Sequence, residues 1–244
     1  MSDSEDFNSL SQTQIEEIQE KYRARFNSKT NVSNNDQKKK VLFLGASRSG
    51  KTTLRDVITD LCVQPKELNL FSATRAPSTV VKTIDGVEMT LIDGPGLFDK
   101  ISADQKEVER LTNDQIIKMI IEHVGDFTQV DCVFFCISAS AGISVQQIQA
   151  IEILGSLLKG KAKKIGLCIT RTDRQNSRWQ AVVLDQIRQH PKMGPLIDEY
   201  SMDIFFSGCV EPTMAFNQDL LARKYKRLQG LRRKILDWII DFGG

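Results

Sequence analysis

The residues of this 244-residue chain best suited to chemistry are Gly45-Ala-Ser-Arg-Ser-Gly50-Lys51-Thr52, which directly follow the apolar run Val41-Leu42-Phe43-Leu44. Glycines at both ends of such a loop let the backbone curl, so that successive N–H groups point inward at phosphate oxygens. A helix opening at Lys51 adds its positive end to the same place. Gly45, Ser47, Arg48, Ser49, Gly50 and Thr53 are therefore expected to line the phosphates. Lys51 is expected to lie between the β- and γ-phosphates, and the Thr52 hydroxyl to ligate Mg2+.

Two further signals follow in chain order. Leu91-Ile92-Asp93-Gly94-Pro95-Gly96 is an apolar strand that ends in an acid and a glycine turn. After a phosphate loop, such an Asp93 is expected to hold Mg2+ through water, and the Gly96 N–H to meet the γ-phosphate. Thr170-Arg171-Thr172-Asp173 ends another apolar run. A carboxylate at Asp173 accepts from both N1–H and the exocyclic amine of guanine, a donor pair that adenine lacks, so it predicts GTP and GDP rather than ATP. The stem of Arg171 can cover the base face. Ser207-Gly208 supplies a small loop beside the base. A threonine that closes over the metal must lie between the first helix and the Asp93 strand, and Thr79 is the choice there, with Ser78 second.

These groups need a frame that brings the ends of several strands together. Apolar runs at 41–45, 79–85, 87–93, 132–138, 164–170 and 203–206 predict six strands, with longer helical patterns between most of them. The second and third are joined only by Asp85-Gly86, a hairpin dipeptide. The expected fold is α/β, a P-loop GTPase of the Ras-like kind: a six-stranded, mostly parallel sheet with one antiparallel edge strand and helices on both faces. The expected organisation is a polar arm at 1–40, a core at 41–210 and a basic amphipathic helix at 211–244.

In the arm, Ile15, Ile18, Tyr22 and Phe26 recur at helical spacing, and Thr13 with Glu16 forms a capping box. That stripe has two possible docking places, the globule or a partner chain. In the last segment Leu221, Leu228, Leu231, Ile235, Trp238 and Phe242 form an apolar seam. Arg223, Lys224, Lys226, Arg227, Arg232, Arg233 and Lys234 occupy the other faces. The seam packs on the sheet with its charges solvated, or it lies on a membrane surface.

The motifs together resemble the AIG-type GTPases, which include the immunity-associated GIMAP proteins and are related to the Toc receptors and septins. The resemblance rests on the phosphate loop, on Asp93-Gly-Pro-Gly-Leu-Phe-Asp99 where the family has D-T-P-G-L-F-D, on the T-R-x-D element and on Gly142-Ile-Ser-Val-Gln-Gln-Ile-Gln-Ala150. It covers residues 41–210. It implies association of two copies across their nucleotide sites, with a basic residue acting in trans; Arg48 and Lys118 are the candidates. Leu97 stands where Ras-like enzymes place the glutamine that orients water, so slow hydrolysis by the monomer is expected.

Composition narrows the remaining choices. Thirty-three Lys and Arg against 31 Asp and Glu give a net charge of +2, which argues against a nucleic-acid partner for the chain as a whole. At 41% hydrophobic and 26% charged residues, a folded globule is expected. No apolar run is long enough for a bilayer span, and residues 1–10 lack a signal-peptide pattern, so a cytoplasmic location is expected, with peripheral membrane contact as the variant. The five cysteines read as reduced core residues. Only His123 and His190 are available to a zinc site, and neither is in a cluster.

Overall fold

All six apolar runs become strands: β1 (Lys38–Leu44), β2 (Ser78–Ile84), β3 (Val87–Asp93), β4 (Cys132–Ser138), β5 (Lys164–Thr170) and β6 (Asp203–Phe206). The computed structural model describes residues 10–27, 37–63, 76–97, 113–125, 127–172, 175–211 and 217–241. The strand order is β2-β3-β1-β4-β5-β6. Every neighbouring pair is parallel except β2 with β3. The turn between those two uses Asp85 at φ 50° and Gly86 at φ 80°. Two positive φ angles are what a two-residue hairpin matching the twist of its strands requires.

β1 starts three residues before the expected boundary at 41. Lys38, Lys39 and Lys40 look like a charged linker, but they pair in register with Glu88, Met89 and Thr90 of β3. The Lys40 N–H donates to Asp131 Oδ2 at 2.8 Å, and Lys38 pairs with Glu88 at 3.0 Å. Cross-strand partners decide the assignment here, and they lie far away in sequence.

Seven α-helices are present among the described residues: α1 (Gln12–Asn27), α2 (Lys51–Thr59), α3 (Asn113–Val124), α4 (Val145–Leu158), α5 (Ser177–Gln189), α6 (Met193–Glu199) and α7 (Gln218–Ile240). On one face Leu42, Leu44, Ile92, Val133, Phe135 and Leu167 pack against α3, α4 and α6. On the other, Val41, Phe43, Met89, Leu91 and Phe134 pack against Leu54 and Ile58 of α2 and Ile235, Leu236 and Ile239 of α7. The alternation along β1 is the period-2 pattern of a strand buried on both faces.

A third layer covers α2 and α7. Ile15 and Tyr22 of α1 are buried against Val57, Leu61, Leu221, Tyr225 and Leu228. The arm's stripe therefore docks on the globule. Its cap differs from the expected one: Ser11 and Gln14 exchange side-chain and backbone bonds of 2.9 and 3.3 Å, and Thr13 lies inside the helix. The side chain of Phe26 and the whole of Phe242 lie outside the described residues.

The seam of α7 is wider than expected and includes Tyr225, Leu236 and Ile239. Arg232, expected to be solvated, is only 2% exposed. Its Nε donates to Val57 O at 2.8 Å and its Nη2 to Ile58 O, carbonyls in the last turn of α2. These are acceptors that a helix end leaves without an intrahelical donor. Burial pulls the pKa of Arg232 down to about 10.

Candidate functional site

The phosphate loop forms the turn between β1 and α2. Gly50 has φ 87°, and a Cβ there would meet Thr170 Oγ1 at 2.7 Å, so no other residue fits without displacing β5. Thr170 explains that closeness. Its buried Oγ1 donates to Ser49 O at 2.6 Å and lies 3.2 Å from Ile137 O, tying the loop to β4 and β5. The structure thus gives Thr170 a loop-positioning contact. Lys51 is buried, and its Nζ donates to Gly45 O at 3.1 Å and Ala46 O at 2.8 Å. Arg48 is exposed at φ 61°, at the tip of the loop. Ser47 and Thr53 are partly exposed on the loop and in the first turn of α2.

The Asp93 turn closes on this loop. Leu97 N donates to Gly45 O at 3.1 Å, and Gly94 N donates to Phe43 O at 3.0 Å. A Cβ on Gly96 would stand 3.0 Å from the backbone of Ser47, so the glycine is what permits this approach. Leu97 itself is 1% exposed and packs in the core with Leu44 and Ile120.

Thr52 Oγ1 donates a short hydrogen bond to Asp93 Oδ2, joining the two residues expected at the metal. The other carboxylate oxygen, Asp93 Oδ1, is buried with no hydrogen-bond partner, as is Ser49 Oγ. Burial raises the pKa of Asp93 against the opposing pull of Thr52, Lys51 and Arg55. A buried carboxylate with a spare oxygen beside a hydroxyl is an oxygen-only donor set, which fits Mg2+. When bound, that ion supplies charge neutralisation to the phosphate oxygens.

Thr79 does not join this group. It lies in β2 opposite Ile92, and its exposed Oγ1 is 2.8 Å from His123 Nε2 of α3. Alternation along β2 turns it away from the face that Asp93 occupies. Ser78, directly opposite Asp93, is the residue on that side. Sequence reasoning missed Arg55, whose Nη1 donates to Ser78 Oγ at 2.8 Å and lies 3.8 Å from Asp93 Oδ2. The available signal was a charged residue between Leu54 and Val57 on the packed face of α2.

On the base side, Thr172 N and Oγ1 donate to Ser207 O at 3.0 and 3.1 Å, and Ser207 N donates to Ile169 O. The T-R-x-D element and the Ser207-Gly208 loop are therefore adjacent, as expected. Arg171 is exposed at φ 59°. Asp173 lies outside the described residues. Lys118 is exposed on α3 and stands 3.9 Å from Glu122. Cys132 and Cys136 are buried, and burial pushes their thiols up to about 12. No group of His, Cys, Asp and Glu among the described residues could hold a zinc ion.

A profile of 50S ribosome-binding GTPases matches residues 40–171, more than half of the sequence. The chain belongs to that family. It is a P-loop GTPase domain with GTP or GDP and Mg2+ as its ligands. GTPase Der of Coxiella burnetii, strain Dugway 5J108-111, is 30% identical over 134 residues, 55% of this chain and 27% of Der. Der of strain RSA 331 gives the same figures. The chain thus spans about a quarter of the length of these relatives. Era in complex with MgGDPNP and a segment of 16S ribosomal RNA superposes with a TM-score of 0.52 at 17% identity, over 86% of this chain and 59% of Era. A variant of Aquifex aeolicus Era bound to GDP and AlF4− also gives 0.52 at 17%, over 85% and 58%. These likenesses agree with the α/β P-loop fold.

Proposed function

We propose that this GTPase domain is of the AIG type: it hydrolyses GTP slowly as a monomer and uses the GTP-bound state to associate with a second copy through its switch face. The observation that carries the slow-turnover reading is Leu97. Its side chain is buried in the sheet core and its amide is engaged by Gly45 O, so the position that orients water in Ras-like enzymes has no polar group to offer. The D-x-P-G-L-F-D string supports the finer family placement.

The same residue supports a second reading, a nucleotide-gated scaffold with negligible turnover. A series of GTPase rates against protein concentration separates the two. Specific activity that climbs with concentration supports activation by association, whereas retained GTP binding with flat, negligible turnover supports the scaffold. Substituting Asp173→Asn tests the base assignment: preference is expected to shift toward xanthine nucleotides, and unchanged guanine preference refutes it.

The partner is read as a protein, with cytoplasmic placement. The near-balanced charge argues against a nucleic-acid partner, although one of the Era structures contains RNA. The apolar face of α7 is occupied by the sheet, so a membrane surface would meet only its charged side.

A further inference from the structure

Helix α2 carries a side chain that phosphate binding does not require. Arg55, one turn beyond Lys51, is 7% exposed, among Leu54, Val57 and Ile58. Its Nε and Nη2 donate to Asp56 Oδ1 at 2.9 and 2.7 Å. Its Nη1 turns the other way, donating to Ser78 Oγ at 2.8 Å and lying 3.8 Å from Asp93 Oδ2. The guanidinium is thus neutralised along its far edge, and its near edge remains directed at the carboxylate expected to serve the metal.

We infer that Arg55 is a positioning residue that gives Asp93 a fixed cation of its own, and so weakens Mg2+ binding and raises the Mg2+ concentration at which bound nucleotide is retained. The inference rests on the nucleotide-binding reading and deepens it. A divalent ion drawn to Asp93 must share that carboxylate with Nη1. Two cations a few ångströms apart in a partly buried site repel far more strongly than in water. Asp56 offsets part of this, because its carboxylate holds the opposite edge of the same guanidinium. The two residues therefore act on the metal with opposite sign. Arg55 also fixes Ser78, the first residue of β2, to the helix that carries Lys51 and Thr52, so the strand and the metal pocket share one anchor.

The test is the dissociation rate of a fluorescent GDP from the full chain as Mg2+ is titrated from excess EDTA to saturation. Arg55→Met keeps much of the buried stem and removes the charge. It is expected to lower the Mg2+ concentration for half-maximal slowing about tenfold, equivalent to about 1.4 kcal/mol. Asp56→Asn, on the less buried partner, is expected to raise it, and Arg55→Lys to stay nearer the wild type than Arg55→Met. An unmoved half-point in Arg55→Met and Asp56→Asn, or movement in the opposite directions, overturns the inference. If Arg55→Met does not fold, Asp56→Asn decides alone: a half-point unmoved or lowered overturns it. A chain that does not bind fluorescent GDP at all refutes the nucleotide reading and this inference with it. GDP binding with unmoved half-points refutes only the inference.

Discussion

Among the described residues, two groups of buried polar side chains are treated differently. In the outer layer of α1, α2 and α7, Gln19 Nε2 donates to Tyr225 Oη at 2.9 Å, Tyr22 Oη to Ala222 O at 2.8 Å, and Arg232 to two carbonyls of α2. At the phosphate end, Ser49 Oγ and Asp93 Oδ1 are buried with no partner. Paired burial fixes one helix on another and asks nothing more. Unpaired burial carries a cost. Gln37 Oε1, just before β1, is a third such atom; what sets Ser49 Oγ and Asp93 Oδ1 apart is that the two meet at the phosphate loop, as in a place prepared for a ligand.

Substitutions at the two ends should therefore separate ligand binding from stability. Lys51→Ala is expected to give the largest change, a loss of GTP affinity of about 4 kcal/mol, close to a thousandfold, measured with a fluorescent nucleotide. Its melting temperature should shift little. Arg232→Ala should do the reverse. It leaves Val57 O and Ile58 O without donors, and a stability loss of about 3 kcal/mol is expected in urea unfolding. Large nucleotide effects in a still-folded Arg232→Ala would break the comparison.

Asp93→Asn sharpens it further. The raised pKa of Asp93 means that the folded chain holds this proton to higher pH than the unfolded chain. Stability is therefore lost as pH climbs from the ordinary carboxylate range through the raised value. Without nucleotide, Asp93→Asn should melt higher at neutral pH by roughly 2–4 °C, about 1 kcal/mol, with the gain vanishing in acid, while Mg2+ dependence is lost. Thr79→Ala should give the smallest effect, under about 0.5 kcal/mol in Mg2+-dependent GDP binding, because its hydroxyl faces His123. A large loss there would return Thr79 to the metal.

The same contrast explains what the sequence made legible. The six strands and the loop between β1 and α2 are local patterns written in consecutive residues, and the structure contains them where they were read. Lys38 to Lys40 were misread because their strand character comes from β3, about fifty residues away. Arg232 was misread because a helix lined with seven basic residues gives no local sign of which one meets the end of α2. Thr79 failed on strand parity, since a shift of one residue exchanges the two faces of the sheet. Arg55 was passed over because its meaning depends on Ser78 and Asp93, neither of which is near it in sequence.

Arg232 also bears on where the chain can be cut. The family match ends at residue 171, yet the helix that presents Lys51 and Thr52 finishes on carbonyls served from residue 232, and the β1–β3 face is filled by Ile235, Leu236 and Ile239. A fragment trimmed to the matched segment would keep every nucleotide motif up to the T-R of the base element. It would lose the far support of the helix those motifs depend on, along with the part of the sheet's cover that α7 supplies. The smallest unit able to present this site is longer than the unit that defines the family.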